Sequence, residues 1–332
     1  MIRTILTTTG LLALAALSTS SLHAQDRKPV STIKGTVGVS LSTNTTYVLS
    51  IPFATVEAEG AITSVSGATL GVNTTHTAST LTNHSIRILS RTNQAEAGAY
   101  GRTVRITNNG TNDVTTAQTI TPSIGDSFVI VQNHTLSSLL GSLGTLKIQG
   151  GNTPSLADAV YVESGGVFTG YWHRTGNGWR LLTDTAGTGA DQGAVMVEYN
   201  KGILIARKSF GGTKTVTMSG EAITGRFSPS TTSNQINLVN NAFTVATTLA
   251  GSGVDKFISK GATVSLADNI YVSTPTGLVG VWYKTGIGWR LLSDTGGTGA
   301  DQGSLALTPG LGLMTRDRAT GGTGISIEQP FV

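Results

Sequence analysis

The residues best placed to do chemistry sit in two decapeptides, Asp184 to Gly193 (DTAGTGADQG) and Asp294 to Gly303 (DTGGTGADQG). Each holds two carboxylates on a glycine-rich backbone. Residues 296–301 satisfy the G-G-x-G-x-D part of the calcium-binding nonapeptide of parallel β-rolls, and 187–191 match most of it. Calcium takes six to eight oxygens, which carboxylates and kinked backbone carbonyls can partly supply. Asp184, Asp191, Asp294 and Asp301 are therefore the candidate metal ligands, and calcium is the one cofactor the sequence offers. β-Roll sites form between adjacent copies, whereas these stand 110 residues apart. The competing reading is a turn in which Gly supplies positive φ and Asp bonds its own backbone. Asp184 with Asp191, or Asp294 with Asp301, is also considered as a glycosidase acid and base.

A second candidate precedes each loop. Tyr171 to Leu182 (YWHRTGNGWRLL) and Val281 to Leu292 (VWYKTGIGWRLL) read as β-hairpins around a Gly-centred turn. If Thr175 and Gly178 close a two-residue turn, Trp172, Arg174, Trp179 and Leu181 share one face. Trp282, Lys284, Trp289 and Leu291 repeat the pattern. Exposed, the two Trp rings and their cation would form a platform for sugar rings. Buried, they would be the main apolar anchor of a chain with 6% aromatic residues, the cation snorkelling at the rim. The burial reading is preferred, because these are the largest apolar groups available to a core.

Other chemistry finds little support. His76, His84, His134 and His173 match no metal-ligand spacing, and His173 becomes Tyr283 in the second copy. There is no G-x-S-x-G elbow and no Cys. The reading is non-enzymatic. A net charge of +4 without a basic cluster argues against nucleic acid as a partner.

These sites belong to a duplication. Ser155 to Gly193 returns as Ser265 to Gly303 without insertion or deletion. Charged residues make up 12% of the chain, and 43 glycines accompany abundant Thr. Short runs of β-branched alternation are bounded by Gly, Asn and Pro, and no apolar stripe of helical period stands out. The expected fold is all-β: several short-stranded antiparallel sandwich or barrel-like modules, including the tandem unit, with little helix. Residues 1–24 read as a secretory signal peptide: Arg3, an apolar run at Leu11 to Leu17, and Leu22-His23-Ala24 before cleavage. An N-terminal β domain follows over 25–125, then repeat unit 1 over 126–225 and repeat unit 2 over 226–332. Each unit is expected to open with a strand (Ser127 to Gln132; Gln235 to Val239). One or two helical turns (Leu136 to Leu140; Val245 to Leu249), the SLAD strand, the hairpin, the loop and a closing strand come next. No later stretch has the roughly 18 apolar residues of a membrane helix.

Ser50-Ile51-Pro52-Phe53, Gly60 to Gly67, Gly101 to Thr107 and Gly125 to Val131 occur in one order. They are followed by the Trp hairpin, Asp191-Gln192-Gly193 and Leu307 to Gly312. This series resembles an uncharacterised family of exported proteins from Verrucomicrobia- and Planctomycetes-type bacteria. The resemblance implies secretion, a bacterial source and a β fold, and carries over no catalytic residue. The tandem second unit departs from the family pattern. The expected function is a secreted structural or envelope-associated protein whose partner is itself or an extracellular polymer. The alternative is a module binding carbohydrate through the Trp faces or calcium through the loops.

Overall fold

The computed structural model describes residues 34–89, 99–229, 231–318 and 326–327. The signal-peptide segment 1–24 and the terminal Phe331-Val332 lie outside the described residues. The fold is mostly β, 44% strand and 4% helix, in several antiparallel sheets that include a closed six-stranded barrel. No described helix is long and apolar enough to cross a membrane.

Strand β1 (Lys34–Leu41) and strand β2 (Thr46–Leu49) open the chain. The barrel follows as β3 (Val56–Ser66), β4 (Thr69–Val72), β5 (His84–Ile88), β6 (Arg102–Asn109), β7 (Asp113–Thr116) and β8 (Ser127–Gln132). Its strand order is β6-β5-β8-β3-β4-β7, and pairing of β7 back onto β6 closes it. The side-chain period of two explains why β8 is buried on both faces. Phe128 and Ile130 point into the barrel core with Ile62, Ile86 and Val104, whereas Val129 and Val131 enter the main core of the molecule. On β5, Ile86 and Ile88 face inward while the outward Arg87 is wholly buried. Its Nη2 donates to the carbonyls of Gly225 (3.1 Å) and Arg226 (2.8 Å), and its guanidinium lies 5.2 Å from the Phe227 ring.

Beyond the barrel come β9 (His134–Thr135) and helix α1 (Leu136–Leu140), then β10 (Ala159–Ser164), β11 (Val167–Arg174), β12 (Gly178–Leu181), β13 (Met196–Val197), β14 (Ile203–Ala206) and β15 (Lys214–Glu221). After β16 (Ser228–Pro229) the second unit supplies β17 (Ile236–Val239), β18 (Thr247–Thr248), β19 (Asn269–Thr274), β20 (Gly277–Lys284), β21 (Gly288–Leu291), β22 (Ala306–Leu307) and β23 (Leu313–Arg316). The two units build the same sheet, β12-β11-β10-β14-β2 in one and β21-β20-β19-β23-β17 in the other. A small ribbon accompanies each, β9 with β13 and β18 with β22, and β1 pairs separately with β15.

The first sheet thus takes its edge strand from Thr46–Leu49, not from Ser127–Gln132 as the linear repeat implies. Leu49 pairs with Ile203 as Val239 pairs with Leu313, so β2 is the counterpart of β17. Residues 240–246 connect edge strand to ribbon in the second unit, whereas residues 50–133, including the whole barrel, do so in the first. The barrel is an insertion into the first repeat unit, and the sheet boundaries fall elsewhere than the block boundaries of the sequence. Two smaller differences have local causes. The SLAD segment is a 3-10 turn, Pro154–Leu156, because Asp158 is pulled into the core, where it accepts the backbone N–H groups of Gln149 (2.7 Å) and Lys208 (2.8 Å) and pairs with Arg207. Asp268 does the same for Ser259 and Arg318, both at 2.7 Å. Thr247 and Thr248 form a strand where helical turns were expected, the β-branched pair joining Leu307 and Ala306.

The units meet around a pseudo-twofold axis. The equivalent residues Ser50 and Asn240 touch each other there, the Ser50 hydroxyl against Asn240 Oδ1. Ile51 N–H donates to Asn240 Oδ1 (2.6 Å), and Asn241 N–H donates to Ser50 Oγ (2.6 Å). The Asn240 amide also donates to the Ile51 (2.9 Å) and Tyr199 (2.7 Å) carbonyls. Farther out, Val48 N–H reaches Ser273 Oγ of the second unit (3.1 Å), and Leu238 N–H reaches Glu163 Oε2 of the first (3.4 Å). Such reciprocity is the pattern of an isologous dimer within one chain. Asn240 is fully buried, so Asn240→Leu strands several backbone groups at roughly 1–3 kcal/mol each. The expected outcome is a loss of at least about 3 kcal/mol in urea denaturation; a loss below about 1 kcal/mol would show that the axis is not a stability determinant.

Candidate functional site

The hairpin register differs from the sequence expectation by one residue. Arg174 pairs with Gly178, His173 with Trp179 and Trp172 with Arg180. The loop is three residues long, and Gly178 at its end has φ 88°, the left-handed residue that follows a turn of this length. One residue of slip sends every side chain of one strand to the opposite face. Trp172 therefore lies with Arg174 and Arg180, while Trp179 lies with His173 on the other side. All four rings are buried: Trp172, Trp179 and Trp282 are 0% exposed and Trp289 is 2%. No ring has a free face for a sugar, and the aromatic-platform assignment of Trp172, Arg174, Trp179, Trp282, Lys284 and Trp289 is replaced by a structural one.

What covers Trp172 is the glycine–aspartate loop. Arg174 Nη1 donates to the carbonyls of Ala186 and Gly187, both at 2.8 Å, and Arg180 Nε donates to Gly187 O at 2.9 Å. Two guanidiniums thus hold one turn of backbone over the indole. The Asp184 carboxylate fixes that turn from its other side, accepting the N–H groups of Gly187 (2.9 Å), Thr188 (3.3 Å) and Gly189 (2.8 Å). Asp191 Oδ1 accepts Trp179 N–H at 2.7 Å and stands 3.5 Å from Arg180 Nη1. The second copy reproduces each link. Lys284 Nζ binds Gly296 O (2.6 Å), Arg290 Nε binds Gly297 O (3.2 Å), and Asp301 takes Trp289 N–H (2.8 Å). Asp294 accepts Thr298 and Gly299 N–H at 3.2 and 2.8 Å.

This geometry argues against both chemical readings of the four aspartates. Loop carbonyls that would face calcium are occupied by guanidinium or ammonium groups, and the Asp184 and Asp294 carboxylates receive fans of amide donors. Among the described residues no group of three His, Asp or Glu side chains converges on a metal-sized space. For Asp294, the N–H of Gly299 first, then those of Thr298 and Gly297, hold the carboxyl below its ordinary range, against a smaller opposing effect of burial. A general acid needs the opposite shift.

Glycine is required at 187 and 297, where φ is 66° and 62° and a Cβ would meet Arg174 Cδ at 2.5 Å and Lys284 Cδ at 2.4 Å. Nothing lies within 4 Å of a Cβ at Gly296, whose counterpart is Ala186. Gly187→Ala is expected to cost about 1–3 kcal/mol in denaturant unfolding and Gly296→Ala less than about 0.5 kcal/mol. Equal effects would refute the latch geometry.

Behind the latch, His173 packs edge-on against Trp179 with centroids 5.5 Å apart, as Tyr283 does against Trp289 at 5.2 Å. It is 3% exposed, and burial lowers its pKa, only partly opposed by the Asp191 charge. The unfolded chain therefore binds a proton more readily than the native one, and stability falls as pH drops below the unfolded value of about 6.5. His84 and His134 are lowered by burial too and add to the slope. His173→Tyr, the residue of the second copy, is expected to flatten stability between pH 7 and 5 by at most about 1.4 kcal/mol per pH unit. An unchanged slope would show that His173 is protonated equally in both states.

A different set of residues appears where the copies disagree. Glu163, Glu198, Asn200 and Lys201 stand opposite Ser273, Thr308, Gly310 and Leu311. In the first unit Glu198, Asn200 and Lys201 border a cleft of about 200 Å³ between the barrel wall at Val104 and Arg105 and the Ser164-Gly165 turn. Lys201 Nζ pairs with the buried Glu163 carboxylate at 2.7 Å, and Glu163 also accepts Gly166 N–H at 2.7 Å. Burial pushes the Glu198 carboxyl up, with Lys201 and then Arg105 pulling it back. Asn200 is 2% exposed. Its amide nitrogen donates to Thr103 O (3.3 Å), while its Oδ1 has no hydrogen-bond partner among the described residues. The features shared by the copies do not include these residues; the signal for them is the change from Glu198, Asn200 and Lys201 to Thr308, Gly310 and Leu311. No family model, curated protein or solved structure matches this chain, which leaves its own residues as the ground for a functional reading.

Proposed function

We propose that this is an exported, non-enzymatic structural protein of the bacterial surface or envelope, a rigid pseudo-symmetric β scaffold that presents its loops for attachment to itself or to an extracellular polymer. One observation carries the reading: the polar and aromatic side chains common to both units are satisfied inside the hairpin latch. Trp172, Arg180, Asp184 and Asp191, with Trp282, Arg290, Asp294 and Asp301, hold backbone. Duplicating them doubles a shape instead of a reactive centre. The signal-peptide pattern and the resemblance to exported bacterial proteins support the compartment. Calcium has less support than the scaffold, since the loop oxygens already have partners.

The test is fractionation of cells producing the full-length chain, with detection by antibody. The mature protein is expected in the envelope or in a surface-attached, sedimentable form released by denaturant. Recovery as a freely soluble monomer in the medium or periplasm, with nothing co-purifying, would overturn the scaffold reading. A melting temperature that rises with added calcium and falls with chelator would restore the metal reading.

A further inference from the structure

We propose that the cleft between the barrel and the first repeat unit, bounded by Arg105, Glu198, Asn200 and the Ser164-Gly165 turn, is a binding site for one ring of a neutral saccharide. This goes beyond the scaffold reading and stands independently of it. The barrel is inserted in the first unit and has no counterpart among the described residues of the second, and the cleft lies where it meets that unit. The polar residues facing it are absent from the second copy, so the shape shared by both units does not account for them.

The chemistry of the walls selects the ligand class. Arg105 offers only donors, Glu198 offers acceptors, and Asn200, Gln118 and Ser164 offer both. The charges balance, Arg105 against Glu198 and Lys201 against Glu163, so an anion or a cation would meet one uncompensated wall. A hydroxyl donates to a carboxylate and accepts from a guanidinium without separating the two. Asn200 Oδ1 and Arg105 Nε, on two residues that line the cleft, are buried without a hydrogen-bond partner among the described residues, so a side-chain shift that admits a sugar hydroxyl lets the first accept and the second donate. Polar groups held unpaired in this way discriminate strongly for a ligand that completes them. The volume of about 200 Å³ suits one sugar ring and not a chain lying lengthwise.

The experiment titrates the mature chain with glucose, galactose and N-acetylglucosamine, and in parallel with glycine, acetate and phosphate. Binding is read by saturation-transfer NMR and by the side-chain amide shift of Asn200. Saturable binding of at least one neutral sugar is expected. Arg105→Met and Asn200→Ala should each weaken it at least about tenfold, the size of one lost hydrogen bond to a charged or buried group. Arg105 is only half-buried on the barrel wall, so its variant decides the matter if Asn200→Ala fails to fold. No saturable binding of any sugar, saturable binding of glycine, acetate or phosphate in its place, or sugar binding unchanged in Arg105→Met would each overturn the proposal. None of these outcomes depends on where the protein fractionates.

Discussion

Everything in this molecule is arranged about the contact between Ser50 and Asn240. Both residues directly follow the edge strand of a five-stranded sheet, and each satisfies backbone groups of the other unit. A buried polar pair at a twofold axis is demanding: its groups are satisfied only when both sheets are complete and in register. The edge strands are fixed twice over, by their own sheet through Leu49–Ile203 and Val239–Leu313 and by the neighbouring unit through Ser273 and Glu163. One apolar core runs through both units, from Leu49 and Ile203 to Val239 and Leu313. The polar axis sets the geometry, and the apolar core supplies the driving force.

Much of the fold is legible in the residues themselves. The apolar run in Ser127 to Gln132 and the alternation in Thr103 to Thr107 mark real strands, and the exact-length repeat of hairpin and loop is a repeat of structure. Two things are not legible. The pairing partner of Thr46–Leu49 lies beyond the barrel, and nothing local in TYVL distinguishes it from a strand of the first block. The hairpin register turns on a single residue: with Thr175 in the loop and Arg174 paired with Gly178, Trp172 and Trp179 part company. That one-residue difference separates a two-ring platform from two independent anchors. Burial of the Trp rings follows from their size, because few other residues of the chain fill such volumes.

The duplication also works as an internal control. Arg174 and Lys284 occupy the same place, and each brings a cation to the same carbonyl of the glycine turn. His173 and Tyr283 both pack edge-on against a Trp, so the aromatic ring is common to the copies while the titrating group belongs to the first alone. Positions that differ in kind, such as Glu198 against Thr308 or Asn200 against Gly310, are where the first unit has taken on something the second has not. Scaffold and specialisation are separable within one chain.

The inserted barrel also sets the order in which the parts mature. During synthesis Thr46–Leu49 emerges early, yet its partner Ile203–Ala206 follows only after the barrel and the first hairpin have been made. The barrel pairs its own near neighbours and can close alone, with its own apolar interior. Closing so long a loop adds little to the equilibrium cost, since the penalty grows only logarithmically with length. What the insertion lengthens is the separation of paired strands, Leu49 to Ile203 against Val239 to Leu313, and contacts of greater separation form more slowly.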